Sequence, residues 1–119
     1  MEHHEGMQTH VERLVEVMLQ DLRAKASPEF AEILETIPVR VLWESPEHDR
    51  YGDFFGVPLD MGNGGEAVAS DIIIYAGPLL AHSNGDDQEL HRMTHKTLMH
   101  EIGHYLGLDH AELEKRGWN

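Results

Sequence analysis

The sequence contains no cysteine. Disulfide bonds and thiolate metal sites are therefore excluded, and any bound metal must be held by nitrogen and oxygen ligands. Basic residues are also few: 9 Lys and Arg stand against 22 Asp and Glu, which gives a net charge of −13. A surface of that sign repels phosphate backbones, so we expect no nucleic-acid partner.

Long apolar runs and a secretory signal are missing as well. The longest apolar stretch, residues 72–81, is interrupted by Gly77 and Pro78 and is far shorter than the ~18 residues of a membrane span. The N-terminal residues MEHHEGMQTH have neither the basic start nor the apolar stretch of a signal peptide. We therefore expect a cytoplasmic protein without a membrane partner. Its length suits one domain over residues 1–119, with residues 1–7 as a flexible N-terminus.

The first part of the chain predicts two helices. Residues 8–24 place apolar side chains at helical spacing with charged residues between them, which is typical of an amphipathic helix. Ser27 and Pro28 predict the N-cap and first turn of a second, short helix that ends at Pro38. The apolar face of this helix comprises Phe30, Ile33 and Leu34.

Strands are expected in the middle of the chain. Residues 39–43 alternate and are rich in β-branched side chains, and residues 71–75 form a continuous apolar run typical of a strand buried on both faces. If that second strand lies at a sheet edge, it can pair with an extended peptide. Residues 54–59 suggest another short strand, and the Gly-rich residues 61–70 suggest a mobile loop.

Capping signals predict two more helices near the C-terminus. Asp86 and Glu89 fit a capping box that begins a helix ending at about Leu106, and Gly107 suits the left-handed position after it. Asp109 can cap a last short helix over residues 111–116. The order of elements indicates an α+β domain, with helices packed on a small sheet.

Residues 100–110, HEIGHYLGLDH, match the pattern HExxHxxGxxH at every fixed position. His100 and His104 lie four residues apart on the predicted helix, so both imidazoles lie on one face and can bind a single ion. Glu101 follows the first of them, where a carboxylate can take a proton from a metal-bound water. The pattern predicts a metal site with Glu101 as the catalytic base.

A third ligand is expected from the turn after this helix. Gly107 lets the chain leave the helix sharply, which can bring His110 back to the ion; Asp109 is the substitute ligand if His110 points away. Three protein ligands leave one position open for water, as in catalytic zinc sites. We therefore predict one Zn²⁺ per chain at His100, His104 and His110, which Ni²⁺ or Co²⁺ could replace.

The other histidines and the aromatic side chains have simpler interpretations. His91 and His95 each precede a proposed ligand by nine residues, half a turn out of phase, so they face away from the ion. His82 lies in a predicted loop and could approach the cleft. Three aromatic residues are expected in the core rather than in a substrate pocket: Trp43, Phe54 and Phe55.

From about Val11 to Trp118, the chain resembles the small bacterial zincin-like metallopeptidases, or minimal zincins. The resemblance lies in HEIGHYLGLDHAEL, in FGVPL about forty residues earlier, and in DIIIYAGPLL between them. It implies a small mixed β-sheet with the HExxH helix against it near the C-terminus. It also implies a metal at His100 and His104, with Glu101 as the base.

One position departs from that family's pattern. The residue ten positions after the first histidine is often Asp in the family, whereas it is His110 here, so that the motif reads like that of a metzincin. Metzincins have a Met-containing turn well after the third histidine. Only nine residues follow His110, and none of them is Met, so a true metzincin is excluded.

Three functions compete at this point. The leading one is a zinc-dependent metallopeptidase that hydrolyses peptide or protein substrates by a metal-activated water. A metal-dependent endoribonuclease of the three-histidine type is suggested by the GLDH end of the motif. Those enzymes, however, carry a small residue where this chain has Glu101, and they need a basic groove. The third is a non-catalytic metal-binding or interaction module.

Overall fold

The computed structural model of the chain describes residues 2–56, 71–107 and 111. In chain order, its elements are α1 (Glu2–Lys25), α2 (Pro28–Thr36), β1 (Val39–Leu42), β2 (Gly52–Phe55), β3 (Asp71–Tyr75), α3 (Ala76–His82) and α4 (Asp87–Tyr105). Four helices and a three-stranded mixed sheet thus form the described fold, which confirms the predicted α+β class. None of the described helices combines the length and apolarity needed to cross a bilayer.

β3 is the middle strand of the sheet, whose described order is β1-β3-β2. It pairs in parallel with β1 and antiparallel with β2. Ile72 and Ile74 are fully buried and Ile73 is nearly so, which confirms the predicted burial of β3 on both faces. Because β3 is paired on both sides, the condition for its pairing with an extended peptide, a position at the sheet edge, is not met.

The core lies between the sheet and the helices α1 and α4. Apolar side chains from α1, including Val11 and Val15, meet Leu98 and Ile102 of α4 in one buried cluster. α4 packs on both β2 and β3, so the helix that carries the HExxH motif rests directly on the sheet. This packing fixes the position of the motif relative to Gly52, the first residue of β2.

Local signals located the starts of α2 and α4 correctly. The Ser27 side chain caps α2 by accepting a hydrogen bond from the Phe30 N–H at 3.2 Å. The Asp86 side chain caps α4 by accepting from the N–H groups of Gln88 and Glu89, at 2.9 and 3.2 Å. The reciprocal half of the predicted capping box is absent, since the Glu89 carboxylate binds Arg92 instead.

The boundaries of three other elements differ from the prediction. α1 includes residues 2–7, whereas the helical pattern was recognised only from residue 8. β1 ends at Leu42, one residue early, and β2 begins at Gly52, two residues before the predicted start. Residues 57–59 of that predicted strand lie outside the described residues.

α3 was missed, because Gly77 and Pro78 were read as the end of the preceding strand. Pro78 lies in the first turn of α3, where a helix does not need its N–H. The Gly77 N–H donates to the Trp43 carbonyl at 3.0 Å, and a Cβ at Gly77 would lie 2.6 Å from that oxygen. Glycine is therefore required here for the close approach of the chain after β1.

Several predictions fall outside the described residues. They concern the mobile loop at residues 61–70, the turn with Asp109 and His110, and all of the last helix except Ala111, which is helical.

Candidate metal and active site

The two histidines of the HExxH motif converge on one point. The Nε2 atoms of His100 and His104 lie 2.9 Å apart, and the two rings are nearly perpendicular, with centroids 4.4 Å apart. Both residues lie in the last two turns of α4, as their four-residue spacing predicted. The helix alone therefore brings these two ring nitrogens together.

This geometry fits a shared divalent ion. Two nitrogens that bind one tetrahedral zinc at ~2.0–2.1 Å lie about 3.3 Å apart, close to the observed separation. Imidazole nitrogen is also a preferred ligand for zinc. Within the described residues, no group of three or more His, Asp or Glu side chains is placed to hold a metal. The geometry of the two histidines is thus compatible with two ligands of a metal site. The predicted third ligand, His110, lies outside the described residues.

Glu101 is buried beside these histidines, with only 7% of its surface exposed. Burial, and to a smaller extent the negative charge of Asp53, raise the pKa of Glu101 from 4.5 to about 7. A carboxyl group with a pKa near neutrality can both accept and donate a proton at physiological pH, which is the property that general acid–base catalysis needs. Such a shift, in a cleft, is typical of a functional site.

Gly52, the first residue of β2, makes this burial possible. A Cβ at this position would lie 2.7 Å from Thr97 Cγ2, 3.0 Å from the Ile73 carbonyl oxygen and 3.3 Å from Glu101 Cγ. Only a glycine lets the backbone of β2 approach α4 so closely. The strand therefore covers the aliphatic part of Glu101 and keeps water from it.

A hydrogen-bonded group stands next to Glu101 on the sheet. The Tyr75 hydroxyl donates to Asp53 Oδ2 at 2.8 Å, and the Arg50 guanidinium donates to the same oxygen at 3.3 Å. Burial and the bond to Asp53 raise the pKa of Tyr75 to about 12, so its hydroxyl stays protonated. These contacts hold the Asp53 carboxylate in place, and its negative charge in turn raises the pKa of Glu101.

A cleft of about 480 Å³ opens over this part of α4. His100, Glu101 and Gly52 line it, together with Tyr51 and His82. The Tyr51 hydroxyl and His82 Nδ1 are hydrogen-bonded, and their rings meet edge to face with centroids 5.4 Å apart. His82 thus lines the cleft, as the sequence suggested it could, but it is the last residue of α3 and does not lie in the predicted loop.

Of the remaining sequence-based assignments, one is wrong and the others agree with the structure. His91 and His95 are exposed and do not line the cleft, as predicted from their half-turn offset. Trp43 and Phe54 pack, partly buried, against the core. Phe55 is 52% exposed, so its assignment to the core was wrong.

A comparison of the whole sequence with protein-family models agrees with this geometry. The family model described as zincin-like metallopeptidase matches residues 5–118 of the 119. The chain belongs to the zincin-like metallopeptidase family. A search among curated proteins gave no match. The family generally implies a zinc cofactor. In this zincin-like chain, His100 and His104 are the two residues whose ring nitrogens converge within the family motif.

Sequence reasoning missed several residues of the zincin-like site. No pattern in the sequence predicts a role in the site for Arg50, Tyr51, Gly52 or Asp53. None of them has a local motif. Tyr51, Gly52 and Asp53 come next to Glu101 or the cleft through the pairing of this segment with β3, and Arg50 joins them through its bond to Asp53. The antiparallel register, which places Gly52 opposite Ile74, is the signal that would have found them.

Proposed function

We propose that this zincin-like protein is a zinc-dependent peptidase that hydrolyses peptide or protein substrates. The observation that carries the proposal is the burial of Glu101 beside two converging imidazoles, in the wall of a cleft. A helix with a purely structural role has no need of a buried carboxylate with a pKa of about 7, since such burial is unfavourable for the charged form.

His100, His104 and, from outside the described residues, His110 would hold one zinc ion. When bound, zinc acts as a Lewis acid that polarises a carbonyl group and lowers the pKa of a coordinated water. The residues of the chain then have to position the peptide, move protons and stabilise developing charge. Nickel or cobalt could take the place of zinc at a site made of imidazole ligands.

Glu101 accepts a proton in the first half of the reaction and gives it to the leaving amine in the second. Its pKa of about 7 applies to the protein without metal. A divalent cation beside the carboxylate favours the charged form and lowers that pKa. The loaded enzyme would therefore have Glu101 ionised, and ready to accept a proton, below neutral pH.

The pair of Tyr51 and His82 is our candidate for stabilising the oxyanion. If the Tyr51 hydroxyl donates to Nδ1 of His82, the imidazole must carry its own proton on Nε2. That Nε2–H is a hydrogen-bond donor at the cleft. Tyr51 lines the cleft, whereas Tyr75 binds Asp53 and Tyr105 packs against Phe54.

A peptide would bind in extended form along β2. This strand is at the end of the described strand order, and its first residue, Gly52, lines the cleft next to Glu101. Pairing with the outer edge of a strand supplies main-chain hydrogen bonds that do not depend on substrate sequence. The role suggested for β3 thus passes to β2.

The proposal is tested by incubating the zinc-loaded protein with casein and, in parallel, with structured RNA. We expect casein to be cleaved, the cleavage to stop with a chelator, and added zinc to restore it. RNA should stay intact, because a chain of net charge −13 is a poor match for a phosphate backbone. RNA cleavage would favour the endoribonuclease, and the absence of any hydrolysis would favour a non-catalytic metal-binding module.

A further inference from the structure

Four residues of α4 recur at intervals of four and form one stripe along the helix: Arg92, Lys96, His100 and His104. Each step of four residues is about 6 Å along the helix axis. The first three members line the cleft. Two cations therefore lie on the same wall as the metal-binding histidines, and Lys96 is one turn away from His100.

The two cations differ in their ion pairs. The Arg92 guanidinium makes a two-bond contact with the Glu89 carboxylate, at 2.8 and 2.7 Å, so its charge is balanced within the cleft wall. The Lys96 side chain is exposed and forms no salt bridge among the residues that the structure describes. Lys96 is thus a positive charge left unbalanced in that wall, in a chain of net charge −13.

We propose that Lys96 binds a carboxylate of the substrate, one or two residues from the bond that is cleaved. This inference rests on the proposed peptidase function. An extended peptide advances about 3.3 Å per residue, so two residues span the ~6 Å from His100 to Lys96 along the helix. The long side chain of Lys96 can cover the difference when the carboxylate lies only one residue away.

The overall charge of the protein makes this contact selective. The acidic surface repels anionic peptides in general, so a carboxylate gains from binding only where a cation stands in the cleft. Glu101, which lines the same cleft, would repel a substrate carboxylate placed beside it rather than beside Lys96. The carboxylate can belong to an Asp or Glu side chain or to the C-terminus of a short peptide.

The test compares matched peptides as substrates of the zinc-loaded full chain. One pair differs by Glu or Gln at the second residue from the cleaved bond, and another by a free or amidated C-terminus at the same distance. We expect kcat/KM to be about three- to tenfold higher for the acidic member of one pair, mostly through KM, because one partly exposed ion pair contributes about 1 kcal/mol. The pair that shows the preference identifies the source of the carboxylate.

Variants of Lys96 then assign the preference. Lys96→Gln should abolish it, and Lys96→Glu should turn it toward peptides with Lys at that position. Lys25→Gln is the matched control, since Lys25 is an exposed lysine of α1 that pairs with Asp21 outside the cleft. Its preference should equal that of the unmodified protein.

Two results would overturn the inference: equal kcat/KM within each pair for the unmodified chain, or an unchanged preference in Lys96→Gln. If no peptide is cleaved at all, the proposed peptidase function fails instead. Equilibrium binding of the same peptides then decides the inference separately. A loss of the acidic preference in Lys96→Gln would support it, and equal binding of both members would overturn it.

Discussion

Glu101 shows how one residue can couple the packing of a fold to its chemistry. Its carboxyl group is buried under β2, and its pKa is raised by that burial and by Asp53. Burying the charged form of Glu101 makes the free energy of folding less favourable. A bound cation would offset that cost, so metal binding and stability should be linked at this residue.

The pH dependence of stability tests this link in metal-free protein. A carboxyl group with a raised folded-state pKa stabilises the fold fully below about pH 4.5, and this contribution is lost as the pH rises through about 7. Between about pH 5 and about pH 8, the Tm of the unmodified protein in chelator should fall more than that of Glu101→Gln, whose amide stays neutral. Thermal denaturation of both proteins over this range provides the measurement, and parallel curves would contradict the raised pKa.

His82 should matter for turnover more than for substrate binding. If its Nε2–H stabilises the oxyanion, His82→Ala should lower kcat by about tenfold to hundredfold with little change in KM. His95→Ala is the matched control, because His95 is an exposed histidine of α4 that does not line the cleft. Equal effects of the two substitutions on kcat would exclude this role for His82.

At the scale of elements, the contact between β2 and α4 is the feature on which the site depends. The Thr97 hydroxyl is bound to the Met93 carbonyl at 2.8 Å, so its methyl group cannot easily move away from β2. A side chain at Gly52 would meet that methyl group and the Ile73 carbonyl together. The strand would then have to move away from α4 and expose Glu101.

Gly52→Ala should therefore destabilise the fold by about 1–3 kcal/mol, the usual effect of overpacking. Gly6→Ala is the control, since a Cβ at Gly6 of α1 meets nothing within 4 Å and alanine favours a helix. Urea denaturation should show a loss only for Gly52→Ala. A variant as stable as the unmodified protein would mean that β2 and α4 can separate without cost.

The turn after α4 is expected to complete the metal site. Gly107 has a φ of 78°, the left-handed conformation predicted for it, and its N–H donates to the His104 carbonyl at 3.0 Å. We predict that His110→Ala weakens zinc affinity strongly. Asp109→Ala should keep the metal and lower stability by about 1 kcal/mol through the loss of an N-cap. Zinc titration with a competing chelator would distinguish them, and the opposite pattern would assign Asp109 as the ligand.

At the scale of the whole molecule, the sequence predicted those features that depend on neighbouring residues. The Ser27 and Asp86 caps, the apolar run of β3 and the His100–His104 spacing each involve contacts within a few positions along the chain. These signals were enough to predict the α+β class, the long helix α4 and the convergence of His100 and His104 on one of its faces.

Features made by distant segments could not be predicted in this way. Tyr51 and His82 meet across 31 residues, and the Asp53–Tyr75 bond spans 22. α3 could not be predicted because a Gly-Pro pair is locally typical of a turn. The reason for glycine at position 77 is its close contact with the distant Trp43 carbonyl. Nothing in the sequence distinguishes Lys96 from other lysines, and its proposed role follows only from its position in the wall of the cleft.

The most direct test of the account compares zinc content and peptide hydrolysis in the unmodified protein and Glu101→Gln. We predict about one zinc per chain in both, together with a loss of about 10²–10⁴-fold in kcat for the variant, the usual contribution of a general base. Elemental analysis and single-peptide kinetics on the same samples give both numbers. Hydrolysis at an unchanged rate by zinc-loaded Glu101→Gln would contradict the assignment of Glu101 as the base, and loss of zinc from the variant would make Glu101 a ligand instead.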